Sequence, residues 1–309
     1  MPGTRRDRCA AAARFAEGQD GVVSRHQLRA LGLTRHDVRT EVRARRWTQP
    51  TLHTVAVVTG QLSQRQRWWV AVLETVCADA ALDGLTALQA AGLEGIDGPV
   101  VASCGHGGRP RSAPAALVRV SRWRRPCDVV QAGVPRVRPG AAAIHAALWT
   151  SSDRHAALVL VATVQQRLTT PQRLVTELGR IARHRRRAFV RQVLGDVLDG
   201  APALGELDFA GLCRRRGLPT PTRQAVRSGP RGRWHLDVHF EEYGVTVEID
   251  GIAHLSGLAP LEDALRQNAL VIGGELVLRI PLLGLRLAPA EFLDQVARAL
   301  SDRGWRAAA

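Results

Sequence analysis

Two short segments near the C-terminal end constrain this chain more than anything else in it. Trp234, Leu236, Val238 and Phe240 alternate with His235, Asp237 and His239, and Val245, Val247 and Ile249 alternate with Thr246, Glu248 and Asp250. A period of two belongs to a strand with one buried face, because successive side chains leave a strand on opposite sides. The loop between them, Glu241-Glu242-Tyr243-Gly244, has hairpin length. Pairing Phe240 with Val245 sets Asp237 opposite Glu248 and His235 opposite Asp250. Directly opposed side chains have Cβ atoms roughly 5 Å apart. Two carboxylates at that distance repel each other unless they share a proton or a cation.

An all-oxygen site suits a hard divalent ion, Mg2+ or Mn2+, which polarises a phosphodiester and activates water. Asp237 and Glu248 are therefore the expected metal ligands. Ordinary surface charges on a solvent-facing sheet are the competing account; the shared polar face, the stop at Gly251 and His254 just beyond argue against it. Upstream, Asp199–Leu204 reads as a linker. Glu206–Arg215 reads as a helix ended by Gly217, and Pro219 and Pro221 bar its continuation.

With these residues in place the stretch from about Leu204 to Leu300 resembles a domain family related to very-short-patch repair endonucleases, in the PD-(D/E)XK superfamily. The resemblance rests on Gly217-Leu218-Pro219, Leu236-Asp237, Val247-Glu248-Ile249-Asp250-Gly251, His254, then Asp263, Arg266 and Asn268, then Val277-Leu278-Arg279. It implies a restriction-endonuclease-like αβββαβ core with Glu206 approaching from the first helix. It makes Asp237 the main metal ligand, Glu248 the second acid, and His254 a neighbour of the scissile phosphate. Asp250 stands where the superfamily usually has lysine, and Pro260, Leu261 and Ile280 stand where relatives tend to have aromatic residues.

The N-terminal end follows helical rules. Ala10–Glu17 is apolar enough for a first helix, Ser24 caps Arg25–Leu31, Gly32 closes it, and Thr34 caps Arg35–Ala44. On that third helix Val38 and Val42 face inward with Leu33, while Arg35, Arg39 and Arg43 recur every four residues on one face. Leu52–Val58 supplies a β-type segment after Trp47. A solvated face is the ordinary fate of such a stripe, but its place as the second helix of a helix–Gly–helix unit turns it toward DNA phosphates. Gly21-Val22-Val23-Ser24, Leu28, Leu31-Gly32-Leu33 and Arg45-Arg46-Trp47 also resemble AbiEi-type antitoxin winged helices, which are DNA-binding repressor modules.

Charge agrees with a polyanionic partner. The 309 residues carry 43 Lys plus Arg against 28 Asp plus Glu, a net charge of +15, and no lysine occurs among them. Coding bias explains arginine in place of lysine; it does not explain the excess. Arginine keeps its charge at any physiological pH and fits phosphate oxygens. Aromatic residues make up only 4% of the chain, too few for the stacking platforms of single-strand RNA binders.

Cys9, Cys77, Cys104, Cys127 and Cys213 are odd in number and form no C-x-x-C pair, so neither a disulfide framework nor a thiolate metal site is expected, and a reducing cytoplasm fits. The longest apolar run, Ala156–Val164, is far short of a membrane span.

Between the two ends the chain mixes helices (Ser63–Ala78, Ala141–Trp149, Arg154–Arg167 and one capped by Thr170 and Pro171) with strands at Val100–Ser103 and Leu117–Ser121 around a basic loop. Arg183, Arg185, Arg186 and Arg187 are assigned to the helix that begins at Pro171 and read as a solvated face. The expected whole is an α/β (α+β) protein: a winged helix-turn-helix at 1–60, a mixed region at 61–199 and a nuclease-like domain at 204–305. The expected function is DNA binding with metal-dependent phosphodiester hydrolysis. The alternative is an AbiEi-like regulator or antitoxin whose nuclease-like domain does not cut, for which an unidentified toxin would be the protein partner.

Overall fold

The computed structural model describes residues 4–114, 116–199, 208–228, 234–250 and 276–306. They form a mixed α/β protein with three sheets, divided into two compact units, Met1–Trp149 and Thr150–Ala309. The division falls inside the segment 61–199.

The first unit begins with three helices; the second and third start at the expected caps, while the first, expected from Ala10, starts five residues earlier. Thr4, Ser24 and Thr34 side chains each accept a hydrogen bond from the backbone N–H three residues on, and the side chains of Asp7, Gln27 and Asp37 accept one from the cap N–H in return. These capping boxes satisfy otherwise orphaned N–H groups and open α1 (Arg5–Glu17), α2 (Arg25–Ala30) and α3 (Arg35–Arg43). Between α1 and α2 runs β1 (Val22–Ser24), which pairs antiparallel with β2 (Thr54–Ala56); Thr48 bridges the outer side of Ala56. The strand expected over Leu52–Val58 is thus shorter at both ends. Val23, Leu28, Leu33, Val38, Trp47 and Val55 close one core with Ala12 and Ala16 of α1.

A five-stranded sheet follows in the same unit, in the order β5-β4-β3-β7-β6: Leu117–Ser121, Val101–Gly105, Ala81–Leu82, Arg136–Val137 and Val129–Val130. It lies with α4 (Gln64–Glu74), α5 (Gly84–Gln89) and α6 (Pro139–Trp149). Of the adjacent tryptophans, Trp69 is buried and donates its indole N–H to Asp20 at 2.9 Å, while Trp68 is only half-buried. Asp83, fully buried, caps α5 and holds His145 Nδ1 at 2.8 Å and the Ser103 hydroxyl at 2.5 Å. That network ties β3, β4 and α6 together.

The second unit opens with α7 (Asp153–Gln165), α8 (Pro171–Gly179) and α9 (Arg187–Asp199). The arginines expected on the helix from Pro171 lie elsewhere: α8 ends at Gly179, and 180–186 form a connector. Arg186 turns inward, is 9% exposed, and donates to Asp153 at 2.6 Å and to the Ser151 carbonyl at 2.9 Å. The carbonyls left over before α7 supply its acceptors, a demand no charge run announces.

Helix α10 (Phe209–Arg215), capped by Asp208, begins three residues later than expected and ends, as expected, where Gly217 takes φ +74°. The sheet that follows has the order β11-β10-β9-β8: Val277–Pro281, Val245–Asp250, Trp234–Phe240 and Arg223–Ser228. β8, β9 and β10 run antiparallel, and β11 joins β10 in parallel. Leu236, Val238, Phe240, Val245, Val247, Ile249, Leu278 and Ile280 are buried, so one face of the sheet is core. Phe292, Leu293 and Val296 of α12 (Pro289–Asp302) are buried too, as are Leu282, Leu283 and Leu285 of α11 (Leu282–Leu287). Gly284 is required there: a Cβ on it would sit 2.5 Å from the Phe292 ring. Among the described residues no helix is long and apolar enough to cross a membrane.

Candidate functional site

The hairpin of β9 and β10 has the register expected from its alternation. Phe240 faces Val245, Glu248 faces Asp237 and Asp250 faces His235. Extended across the sheet, the central rank reads Ala225, Asp237, Glu248, Arg279 from β8 to β11. Asp237 is half-buried and Asp250 exposed, on the face away from the core. The two carboxylates therefore share one rank on the polar face of the sheet, with a third one step along. Arg279 completes that rank. Its Nε donates to Glu248 at 3.0 Å, a contact the sequence does not reveal because it depends on β11 lying parallel beside β10. His239 and Thr246, one step the other way, are joined at 3.1 Å. Glu206 and His254, and with them Asp263, Arg266 and Asn268, lie outside the described residues.

Two oxygen donors at one register position fit a hard divalent cation; one of them already carries a counter-charge from Arg279.

In the first unit Arg35, Arg39 and Arg43 are exposed along α3 while Leu33 and Val38 are buried and Val42 half-buried, as the periodicity implies. The opposite face of α3 holds what the periodicity missed. Asp37 and Glu41 are buried, only 7% and 6% exposed. Arg46 donates to Glu41 at 2.6 Å, and Arg5 of α1 donates to it as well. The Arg46 hydrogen bond, aided by Arg5 and opposed by burial, holds the Glu41 carboxyl down at about 2. These pairs fasten α3 to α1 and leave the arginine stripe as its outer surface.

Arg25, at the start of α2, enlarges that surface. Burial and then the repulsion of Arg35, Arg29 and Arg39 lower its pKa from the usual value, so four guanidinium groups feel one another. One amino group of Arg25 donates to Gln49 at 2.8 Å, but its Nε is buried with no hydrogen-bond partner among the described residues. A cluster of like charges with an unsatisfied donor is what an anion would relieve.

A third cluster was not expected. Cys77, Asp79 and Cys104 bring their two sulfurs and a carboxylate oxygen within 4.8 Å of one another. Cys77 and Asp79 lie in the turn before β3, and Cys104 is in β4. The pattern escapes a search for C-x-x-C because the antiparallel pairing of β3 with β4 makes the neighbours. No protein-family model matches the chain and no curated protein matches it, so the chemistry has to be argued from these residues.

Proposed function

We propose that the chain is a DNA-binding protein whose C-terminal sheet carries a metal-dependent nuclease centre. The observation that carries the reading is the rank Asp237–Glu248–Arg279 on the polar face of a sheet whose other face is buried. The order of a helix, three strands of which the last pairs in parallel with a later strand, and closing helices agrees with the restriction-endonuclease-like core that the sequence resembles. In the first unit the order α1, β1, α2, α3 and a β-ribbon through Thr48 and β2 agrees with a winged helix, with α3 as the reading helix.

Asp237 and Glu248 would hold Mg2+ or Mn2+, which supplies Lewis acidity and a hydroxide at neutral pH. Arg279 would then face the phosphate as a cation on that face, a charge that Asp250 cannot supply. Arg25, Arg29, Arg35, Arg39 and Arg43 would bind the duplex backbone through phosphates, which gives affinity without sequence information.

A specific observation favours the second reading, a regulator or antitoxin that binds DNA without cutting: Glu248 is already ion-paired with Arg279. Plasmid cleavage in Mg2+ and in Mn2+ separates the two. The nuclease reading expects nicking by the wild type that Asp237→Asn abolishes. A wild type that binds DNA, cuts none and gains no melting temperature from either ion leaves the regulator.

A further inference from the structure

We propose that Cys77, Asp79 and Cys104 form a second metal site, for a borderline-soft divalent cation of the zinc class.

The donor set selects the metal. Two sulfurs with one carboxylate suit zinc rather than magnesium, which asks for oxygen alone. Donors on one tetrahedral ion, with bonds of about 2.0–2.3 Å, are roughly 3.8 Å apart at most, so a cluster already within 4.8 Å needs to close by about 1 Å.

The surroundings are those of a supported ligand set. One oxygen of Asp79 accepts from the Cys77 thiol at 3.3 Å and so faces the sulfurs. The other is held from behind by the Gly105 N–H at 2.7 Å and by Arg124. Arg124, 6% exposed, is itself fixed by the carbonyls of Ser103 and Asp79, both at 2.6 Å. A carboxylate oriented by outer partners is the usual arrangement around a metal. Gly108 brings the following turn against both cysteines: a Cβ there would lie 2.9 Å from Cys104 Cβ and 3.2 Å from Cys77 Sγ.

Charge closes as well. Without metal the Asp79 carboxylate balances the Arg124 guanidinium, and the Cys77 thiol donates its hydrogen to Asp79. When a dication binds, both S–H bonds break, the two protons leave to water, and two metal–sulfur bonds form. Two negative sulfurs and one dication leave the net charge unchanged. Cys104 is buried, Cys77 half-buried and Asp79 exposed, so the site opens to solvent and a water takes the fourth position.

The test is anaerobic titration of the reduced full-length protein with Co2+, followed by displacement with Zn2+. Expected are one equivalent bound with thiolate-to-cobalt absorption and the visible bands of a tetrahedral ion, and a higher melting temperature with Zn2+. Cys77→Ser and Cys104→Ser each should lower affinity at least tenfold and leave, at saturation, about half of the thiolate band. Cys127→Ser, at an exposed position, should change neither. Cys77 is half-buried, so Cys77→Ser keeps the test sound even if Cys104→Ser misfolds. Absence of the thiolate band in the reduced wild type, its undiminished intensity in Cys77→Ser, or thiols that only couple to a 77–104 disulfide without taking up metal would each overturn the proposal.

Discussion

Glu41 sits under α3 between Arg46 and Arg5, and its carboxyl stays ionised down to about pH 2. A carboxylate whose folded pKa lies below its ordinary 4.5 contributes stability that is fully present above about pH 5 and disappears as pH falls toward 2. Arg46 and Arg5 are 58% and 38% exposed, so solvent screens the pairs and their contribution is modest. Glu41→Gln should lower the melting temperature at pH 7, and its melting curve should converge on that of the wild type near pH 2; a constant gap across that range refutes the ion-pair account. Arg279 allows a sharper test of the proposed nuclease centre. Arg279→Ala releases Glu248, so Mn2+ affinity should rise a few-fold while cleavage falls. Unchanged values for both would remove Arg279 from the site. Neither residue's role was legible in the sequence. Glu41 sits in an arginine-rich helix where any acid looks like solvated charge, and Arg279 meets Glu248 only through strand pairing.

At the scale of elements, local rules carried furthest where a period or a cap was long enough to read. The β9–β10 register follows from alternation plus loop length, and the Ser24 and Thr34 caps are legible in the sequence, whereas the Thr4 cap is not, because the apolar run starts only at Ala10. β8 was invisible to the period because Arg223-Gln224-Ala225-Val226-Arg227-Ser228 lacks an apolar alternation, and β3, β6 and β7 are two residues long, too short to show any. The caps predict that Thr34→Ala costs about 1 kcal/mol of stability, measurable by urea unfolding, because a first-turn N–H loses its acceptor. Replacing Arg35, Arg39 and Arg43 with Gln should leave that stability nearly unchanged and instead weaken duplex binding. The slope of log affinity against log salt should flatten by up to about three units, close to one for each phosphate that is no longer neutralised. An unaltered slope in a salt series would take α3 out of the interface.

For the molecule as a whole, the arginine surface belongs to one compact unit and the Asp237–Glu248 rank to the other. Binding and cutting should therefore separate on mutation: Asp237→Asn should keep the wild-type affinity and salt slope for duplex DNA while losing cleavage, and a shared loss would tie the two surfaces together. The +15 charge was plain from composition, but the division at Trp149/Thr150 was not, since a short polar stretch between two helices looks like any helix break. The parallel pairing of β11 with β10 also has a kinetic side. A hairpin closes over a four-residue loop at small entropic cost, whereas β11 must return from beyond the whole segment between Asp250 and Val277. Such non-local pairing is slow to form. During synthesis the β9–β10 hairpin therefore exists before its outer neighbour does, and the far edge of β10, with Val245, Val247 and Ile249 beside it, waits open to other strands. Expression at lower temperature or with chaperones should consequently raise the yield of folded chain more than any stabilisation of the N-terminal helices.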